Sequence, residues 1–177
     1  MIARTPEPRT VKSLSRDLRA LGVRPGSTLV VHSSLSAIGW VAGGPTAVIL
    51  ALLDALGPDG TLVMPAHSGD WSDPAEWQNP PVPESWWETI RRERPAWDLG
   101  TAPTRNLGRI AELFRTWPGT MRSGDPVVSF AALGPHAGRI TDAHTTEWSP
   151  LERIYELDGD VLLLGVGHDR NTSLHLA

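Results

Sequence analysis

The chain of 177 residues contains no cysteine. That removes disulfides, cysteine-bound zinc and a thiol nucleophile, whatever compartment the protein occupies. Lysine is nearly absent too: Lys12 is the single one, and the rest of the 16 basic residues are arginine, a pattern we read as composition bias. Nor is there an excess of positive charge, since 20 acidic residues outnumber the basic ones and leave a net charge of −4. This argues against a nucleic-acid partner, and the densest basic patch, Arg91 to Arg94, is interrupted by Glu93. An acidic balance is compatible with a cationic substrate. The longest apolar run, Ala47 to Ala55, is broken by Asp54 and falls far below the roughly 18 residues of a membrane span. The opening "MIARTPEPRT" has no apolar secretion core, so a cytoplasmic protein is expected.

What is present suits one soluble domain, with 40% hydrophobic and 20% charged residues. Val11, Leu14, Leu18 and Leu21 recur at helical spacing over Thr10 to Leu21, with Gly22 as stop signal. "TLVVH" (Thr28 to His32) reads as a buried strand and "SSLSAIGWVAGG" as a loop. A helix from Thr46 to about Leu56, introduced by Pro45, precedes the strand "GTLVMP". Strand, helix, strand in that order is a βαβ-like unit, so the class is α/β. The stretch Ala66 to Pro83 is long, aperiodic and crowded by tryptophans, which points to a functional loop and away from disorder. Helices follow at Glu84–Glu93 and Leu107–Arg115, then a strand in "VVSFAALG", a helix in "SPLERIYEL" capped by Ser149, and a last strand in "DVLLLGVG". Thr172 then stands where a helix N-cap would, with His175 in the first turn.

Three stretches have residues suited to chemistry. The loop from His32 to Gly44 leaves a strand and enters a helix, where hydroxyls, glycines and backbone N–H groups meet anions. It is neither a Walker loop nor a GxGxxG fingerprint, and a Ser-rich connection satisfied by its own backbone reads equally well. In "HSGDWSD", His67, Asp70 and Asp73 suit a divalent metal, while carboxylates beside Trp71 suit an ammonium-bearing ligand; an Asx-turn loop is the plain structural reading. Near the end, His168 and Asp169 with His175 offer a base and an orienter. In the first turn of a helix the dipole would disfavour a protonated ring, which suits a general base, although a lone histidine is more often structural. His136 and His144 lie in loop-like context and receive no role. No G-x-S-x-G elbow surrounds Ser33, Ser34 or Ser129.

Taken in order, "LGVRPGSTLVVHSSLSAIGWVAGG", "GTLVMPAHSGDWSDP", "TRNLGRIAELFRTWPG", "RSGDPVVSFAALG" and "SPLERIYELDGDVLLLGVGHDRNTSLHLA" closely resemble the aminoglycoside 3-N-acetyltransferases. The resemblance implies a layered α/β/α domain with a central mixed sheet, and acetyl transfer from acetyl-coenzyme A to the 3-amino group of a 2-deoxystreptamine aminoglycoside, without a metal. It implies His175 as general base. It also implies His32, Ser33, Ser34, Leu35 and Ser36 as the coenzyme segment, with Arg105, Ser129 and Phe130 lining the same cleft. Asp70, and less strongly Trp71 and Asp73, would face the cationic antibiotic. No nucleic acid and no membrane enter that chemistry.

Family members run on past Ala177 into a glutamate that assists the histidine, so residues 1–177 are expected to be a domain without its C-terminal part. Low or no turnover is expected of this polypeptide, and an exposed apolar face should make it self-associate. The family often has Gln where His67 stands and His-Pro where Asp125–Pro126 stands, which leaves the accepted amine open. Three alternatives remain beside the resistance enzyme: an acetyltransferase for another amine, an inactive remnant, and a metal-dependent hydrolase on His67, Asp70 and His168.

Overall fold

The computed structural model describes residues 5–142 and 146–176. His144 therefore lies outside the described residues. Helix α1 (Val11–Ala20) starts where the pattern predicts: Thr10 accepts the Ser13 N–H at 3.1 Å, and the Ser13 hydroxyl accepts the Thr10 N–H at 2.9 Å. Strand β1 (Thr28–Ser33) and strand β2 (Thr61–Pro65) flank helix α3 (Gly44–Leu56), which carries Pro45 in its first turn and stops at Gly57. No described helix is long and apolar enough to cross a membrane.

The sheet has five strands in the order β3-β4-β2-β1-β5, where β3 is Met121–Arg122, β4 Phe130–Leu133 and β5 Asp160–Leu164. β1 is parallel to β2 and β5, while β4 runs antiparallel to both β2 and β3. Alternation of side chains along the strands builds two cores. Leu29, Val31, Leu62 and Met64 pack with α1, α3 and helix α5 (Gly108–Arg115). Val30, Val63, Phe130 and Ala132 pack with helix α6 (Ala137–Thr141) and helix α7 (Ser149–Glu156). The expected α/β/α layering with a mixed sheet is what forms.

Several expectations shift. The loop after β1 contains a helical turn, α2 (Leu35–Ile38). Strand β4 starts only at Phe130, because the Asp125 carboxylate accepts the N–H groups of Val127 (2.7 Å) and Val128 (2.8 Å) and folds that part of "VVSF" into a turn. Ser149 is inside α7, with Trp148 at the cap position; the serine hydroxyl donates to the Thr146 carbonyl at 3.0 Å. Thr172 caps nothing: the segment Thr172–Leu176 is a 3-10 turn, and Asn171 accepts the Ser173 N–H at 3.1 Å.

The long excursion between β2 and α5 is held by specific bonds. Helix α4 (Glu84–Glu93) leads to Arg94, which donates to the carbonyls of Asp70 and Ser72, both at 2.8 Å. Trp71 donates to the Pro95 carbonyl at 3.1 Å, and Arg91 pairs with Asp73 at 2.8 Å.

β5 is the edge of the sheet, and Val161 on it and Tyr155 nearby in the chain are 42% and 79% exposed. An open, apolar edge strand templates association. Light scattering is expected to show concentration-dependent oligomers that Val161→Lys reduces; a strict monomer at high concentration would contradict this.

Candidate functional site

Because β2 lies on one side of β1 and β5 on the other, the chain leaves β1 at a switch point of the sheet, where a crevice opens beyond the strand ends. A cleft of about 750 Å³ lies there. Its floor is the end of β1 and the turn into α2, from His32 to Ser36. One wall is Arg105 to Arg109 at the start of α5, and the other comes from Val166 and the segment from Asp169 to His175. The Ser34 N–H donates to the Leu164 carbonyl at 3.0 Å, and the Ser34 and Ser36 hydroxyls are 3.0 Å apart. Gly165, at φ 75°, lets the strap after β5 approach α2: a Cβ there would stand 2.8 Å from that of Ala37.

Of the sequence-based candidates, His32 to Ser36, Arg105 and His175 are thus brought together. Arg109 joins them. It lines the cleft at the first turn of α5 and forms no ion pair among the described residues. Sequence reading passed it over, although "NLGRIAEL" puts an arginine directly after the glycine that opens a helix.

Ser129 and Phe130 do not line the cleft. The Ser129 hydroxyl is fully buried, donates to the Ala66 carbonyl at 2.8 Å and accepts from Arg122 at 3.2 Å. Phe130 belongs to the core on the α6–α7 face. The acidic loop also differs from expectation. Asp70 is ion-paired with Arg105, so the group expected on the coenzyme and the group expected on the antibiotic hold each other. Arg105 further lies 5.7 Å from the Trp77 ring and borders a second pocket of about 310 Å³ with His67, Gln78 and Asn79. Asp73 caps a 3-10 turn by accepting the Ala75 N–H at 2.8 Å, and its Arg91 partner holds its carboxyl below the usual range. Trp71, bonded to Pro95, is likewise structural. Asp169 pairs with Arg170 at 3.2 Å and not with His175. Among the described residues no three His, Asp or Glu side chains converge on a metal position, so His67, Asp70 and His168 make no such centre.

Three histidines differ sharply in setting. His32 is 4% exposed, its Nε2 has no partner, and burial pushes its pKa down to about 4. His67, also with an unpartnered Nε2, is pushed to about 4 by burial and then by the neighbouring His32; its ring meets the Phe130 edge at 5.4 Å. His175 is exposed on the 3-10 turn, its ring stacked 4.7 Å from that of Trp148 at 11°.

The imidazoles of buried His32 and half-buried His67 make the fold acid-sensitive. An unfolded histidine titrates near 6.5, so between that pH and about 4 the unfolded chain binds protons that the folded chain refuses. Stability is full above about pH 6.5 and falls as pH drops through this window, by up to about 3 kcal/mol per group. Urea midpoints at pH 7, 6 and 5 should decline, and His67→Gln should flatten part of that decline. A constant midpoint would contradict the burial of these rings.

A sequence profile described as aminoglycoside 3-N-acetyltransferase matches residues 30–177. The SPbeta prophage-derived aminoglycoside N(3')-acetyltransferase-like protein YokD of Bacillus subtilis is 48% identical, over all of this chain and 67% of its own length. The crystal structure of YokD superposes with a TM-score of 0.94 at 47% identity, covering 98% of this chain and 67% of that one. Aminoglycoside N(3)-acetyltransferase VIII of Streptomyces fradiae is 44% identical over all of this chain and 63% of its length. A solved binary complex of AAC-IIIb with CoASH has a TM-score of 0.81 at 36% identity, over 96% of this chain and 64% of that one. This chain thus spans about two thirds of the length of these relatives. It belongs to the aminoglycoside 3-N-acetyltransferase family.

Proposed function

We propose that the cleft takes acetyl-coenzyme A and that the protein transfers its acetyl group to the 3-amino group of a 2-deoxystreptamine aminoglycoside, with His175 as general base. The observation that carries this is the convergence of Ser34, Ser36, Arg105, Arg109 and His175 on one cleft at the switch point. The fit is chemical: Arg109, with no ion pair among the described residues, suits a phosphate, serine hydroxyls and the first turn of α5 add donors, and an imidazole stands at the opposite wall. Acetyl-coenzyme A supplies an activated thioester; such a substrate places the reaction in the cytoplasm. His175 removes the proton that the attacking amine must lose as its nitrogen bonds the acetyl carbon and the C–S bond breaks; the proton goes finally to the released thiolate. The lack of cysteine in these residues fits direct transfer. The domain is read as one unit over residues 1–177, its partners being the two small molecules.

Thiol release from acetyl-coenzyme A by the 177-residue chain, with and without an aminoglycoside, tests the proposal. Slow release that depends on the aminoglycoside is the expected result. Where turnover is too low to detect, calorimetric binding of coenzyme A decides, and a folded chain that neither releases thiol nor binds coenzyme A would contradict the proposal.

One observation favours a second reading, an acetyltransferase for a less cationic amine. Asp70, the carboxylate expected to take the antibiotic's ammonium, is already matched by Arg105. Faster release with a monoamine acceptor than with gentamicin-like polycations would select this reading.

Arg109 yields a sharper prediction. A charge-assisted bond to phosphate is worth about 1.5–3 kcal/mol, so Arg109→Ala should weaken coenzyme A binding roughly tenfold or more and leave pantetheine, which lacks the phosphates, unaffected. Equal weakening of both in calorimetric titrations would remove Arg109 from this role.

A further inference from the structure

The segment carrying His175 has little to hold it. It is a five-residue 3-10 turn, and the hydroxyls of Thr172 and Ser173 find no partner. Its anchors among the described residues are the Ser173 N–H on the Asn171 side chain (3.1 Å) and the Leu174 N–H on the Asn171 carbonyl (3.3 Å). Neither bond fixes the imidazole, and Asp169 is turned to Arg170. The ring is nevertheless set in one plane, because it lies flat on Trp148 with centroids 4.7 Å apart and 11° between planes.

We propose that Trp148 is a positioning residue for His175, acting through the face of the ring. This rests on the reading of His175 as the base. A stacked partner acts on the π face, so it restricts the ring's rotation while both nitrogens keep their in-plane lone pair or proton free. An orienting carboxylate, by contrast, occupies one nitrogen. Trp148 is suited to the task because it is itself anchored: its indole packs on the core of Leu151, Ile154 and their neighbours, and its backbone stands at the N-cap of α7. The stack therefore ties the histidine to the sheet through a rigid helix across 27 residues of sequence. Position within about 1 Å governs such a base, at a cost that reaches about 100-fold when lost.

The test compares Trp148→Ala, Trp148→Phe and His175→Ala with the parent chain. By NMR, the ring protons of His175 are expected upfield in the parent from the indole ring current, partly so in Trp148→Phe, and at ordinary positions in Trp148→Ala. In thiol-release kinetics Trp148→Ala should lose about 10- to 100-fold in kcat with KM for acetyl-coenzyme A unchanged, and Trp148→Phe should recover most of it. Circular dichroism and the Trp148→Phe variant separate this from a folding defect. His175→Ala as active as the parent would sink the base reading, and the proposal with it. His175→Ala inactive while Trp148→Ala keeps full kcat would sink the positioning role alone. A rise in KM for the amine with kcat intact would make Trp148 a substrate contact and also overturn it. If the parent chain shows no turnover, unshifted His175 protons in the parent overturn the proposal, and shifted ones that relax in Trp148→Ala sustain it.

Discussion

Replacing His175 by alanine is expected to lower acetyl transfer at least about 100-fold, the range in which a general base contributes, while coenzyme A binding stays within a factor of about two. The separation of the two effects follows from placement. His175 lines the cleft from the strap after β5, whereas the serines and Arg109 proposed for the coenzyme stand on α2 and α5. His175 stands on a different segment from all of them, so its removal leaves that wall intact. The ring is exposed and so reachable by an incoming amine. Parallel kinetics and calorimetry on both chains read the two quantities. Loss of coenzyme binding together with rate would make His175 a binding residue; an unchanged rate would free it of any role in proton transfer.

Arg122→Ala is expected to cost about 1–3 kcal/mol of stability, by the penalty of leaving the buried Ala102 carbonyl unmatched. Arg122 is an arginine without a carboxylate in contact among the described ion pairs, and burial pulls its pKa down to about 10, so it remains charged at neutral pH. Its guanidinium is satisfied by oxygens from three parts of the chain. It donates to the Ala66 carbonyl and, at 2.8 Å, to the Ser68 hydroxyl at the end of β2. It donates to the carbonyls of Leu99 (3.2 Å) and Ala102 (2.8 Å) ahead of α5 and to the Ser129 hydroxyl (3.2 Å) ahead of β4. It also lies 5.2 Å from the Trp97 ring. Without it the Ala66 and Ser68 oxygens keep other bonds, to Ser129 and Pro103, but those of Leu99 and Ala102 lose a donor. The start of the segment that delivers Arg105 and Arg109 should then loosen. Denaturation midpoints and protease nicking near residues 97–104 check this. A midpoint like that of the parent, with no new cleavage, would show that Arg122 is dispensable.

The elements whose signals are local were legible from sequence. Thr10, Gly22, Pro45 and Gly57 mark their helices because capping and backbone freedom act within a few residues. β1 and β2 were legible because both are buried on two faces and read as continuous apolar runs. β3 and α6 were not, since two and five residues are too short to show a period. The lining of the cleft was legible where one segment carries it, as in His32 to Ser36. It was not where a partner distant in sequence decides a side chain's setting. Asp70 is claimed by Arg105, 35 residues on; Ser129 is claimed by Ala66 and Arg122; His175 is set by Trp148. Phe130 and Ser129 differ from a cleft residue only through the register of β4 against β2, which places Phe130 opposite Pro65. Periodicity alone carries no such information.

Hydrogen–deuterium exchange of the 177-residue chain, with and without coenzyme A, tests the central claim most directly. The account predicts that coenzyme A slows exchange in residues 33–38, 106–110 and 166–172, the three walls of the cleft, and leaves the segment with Ser129 and Phe130 unchanged. Protection elsewhere, or none at saturating coenzyme A in a folded chain, would contradict the assignment of this cleft as the coenzyme site.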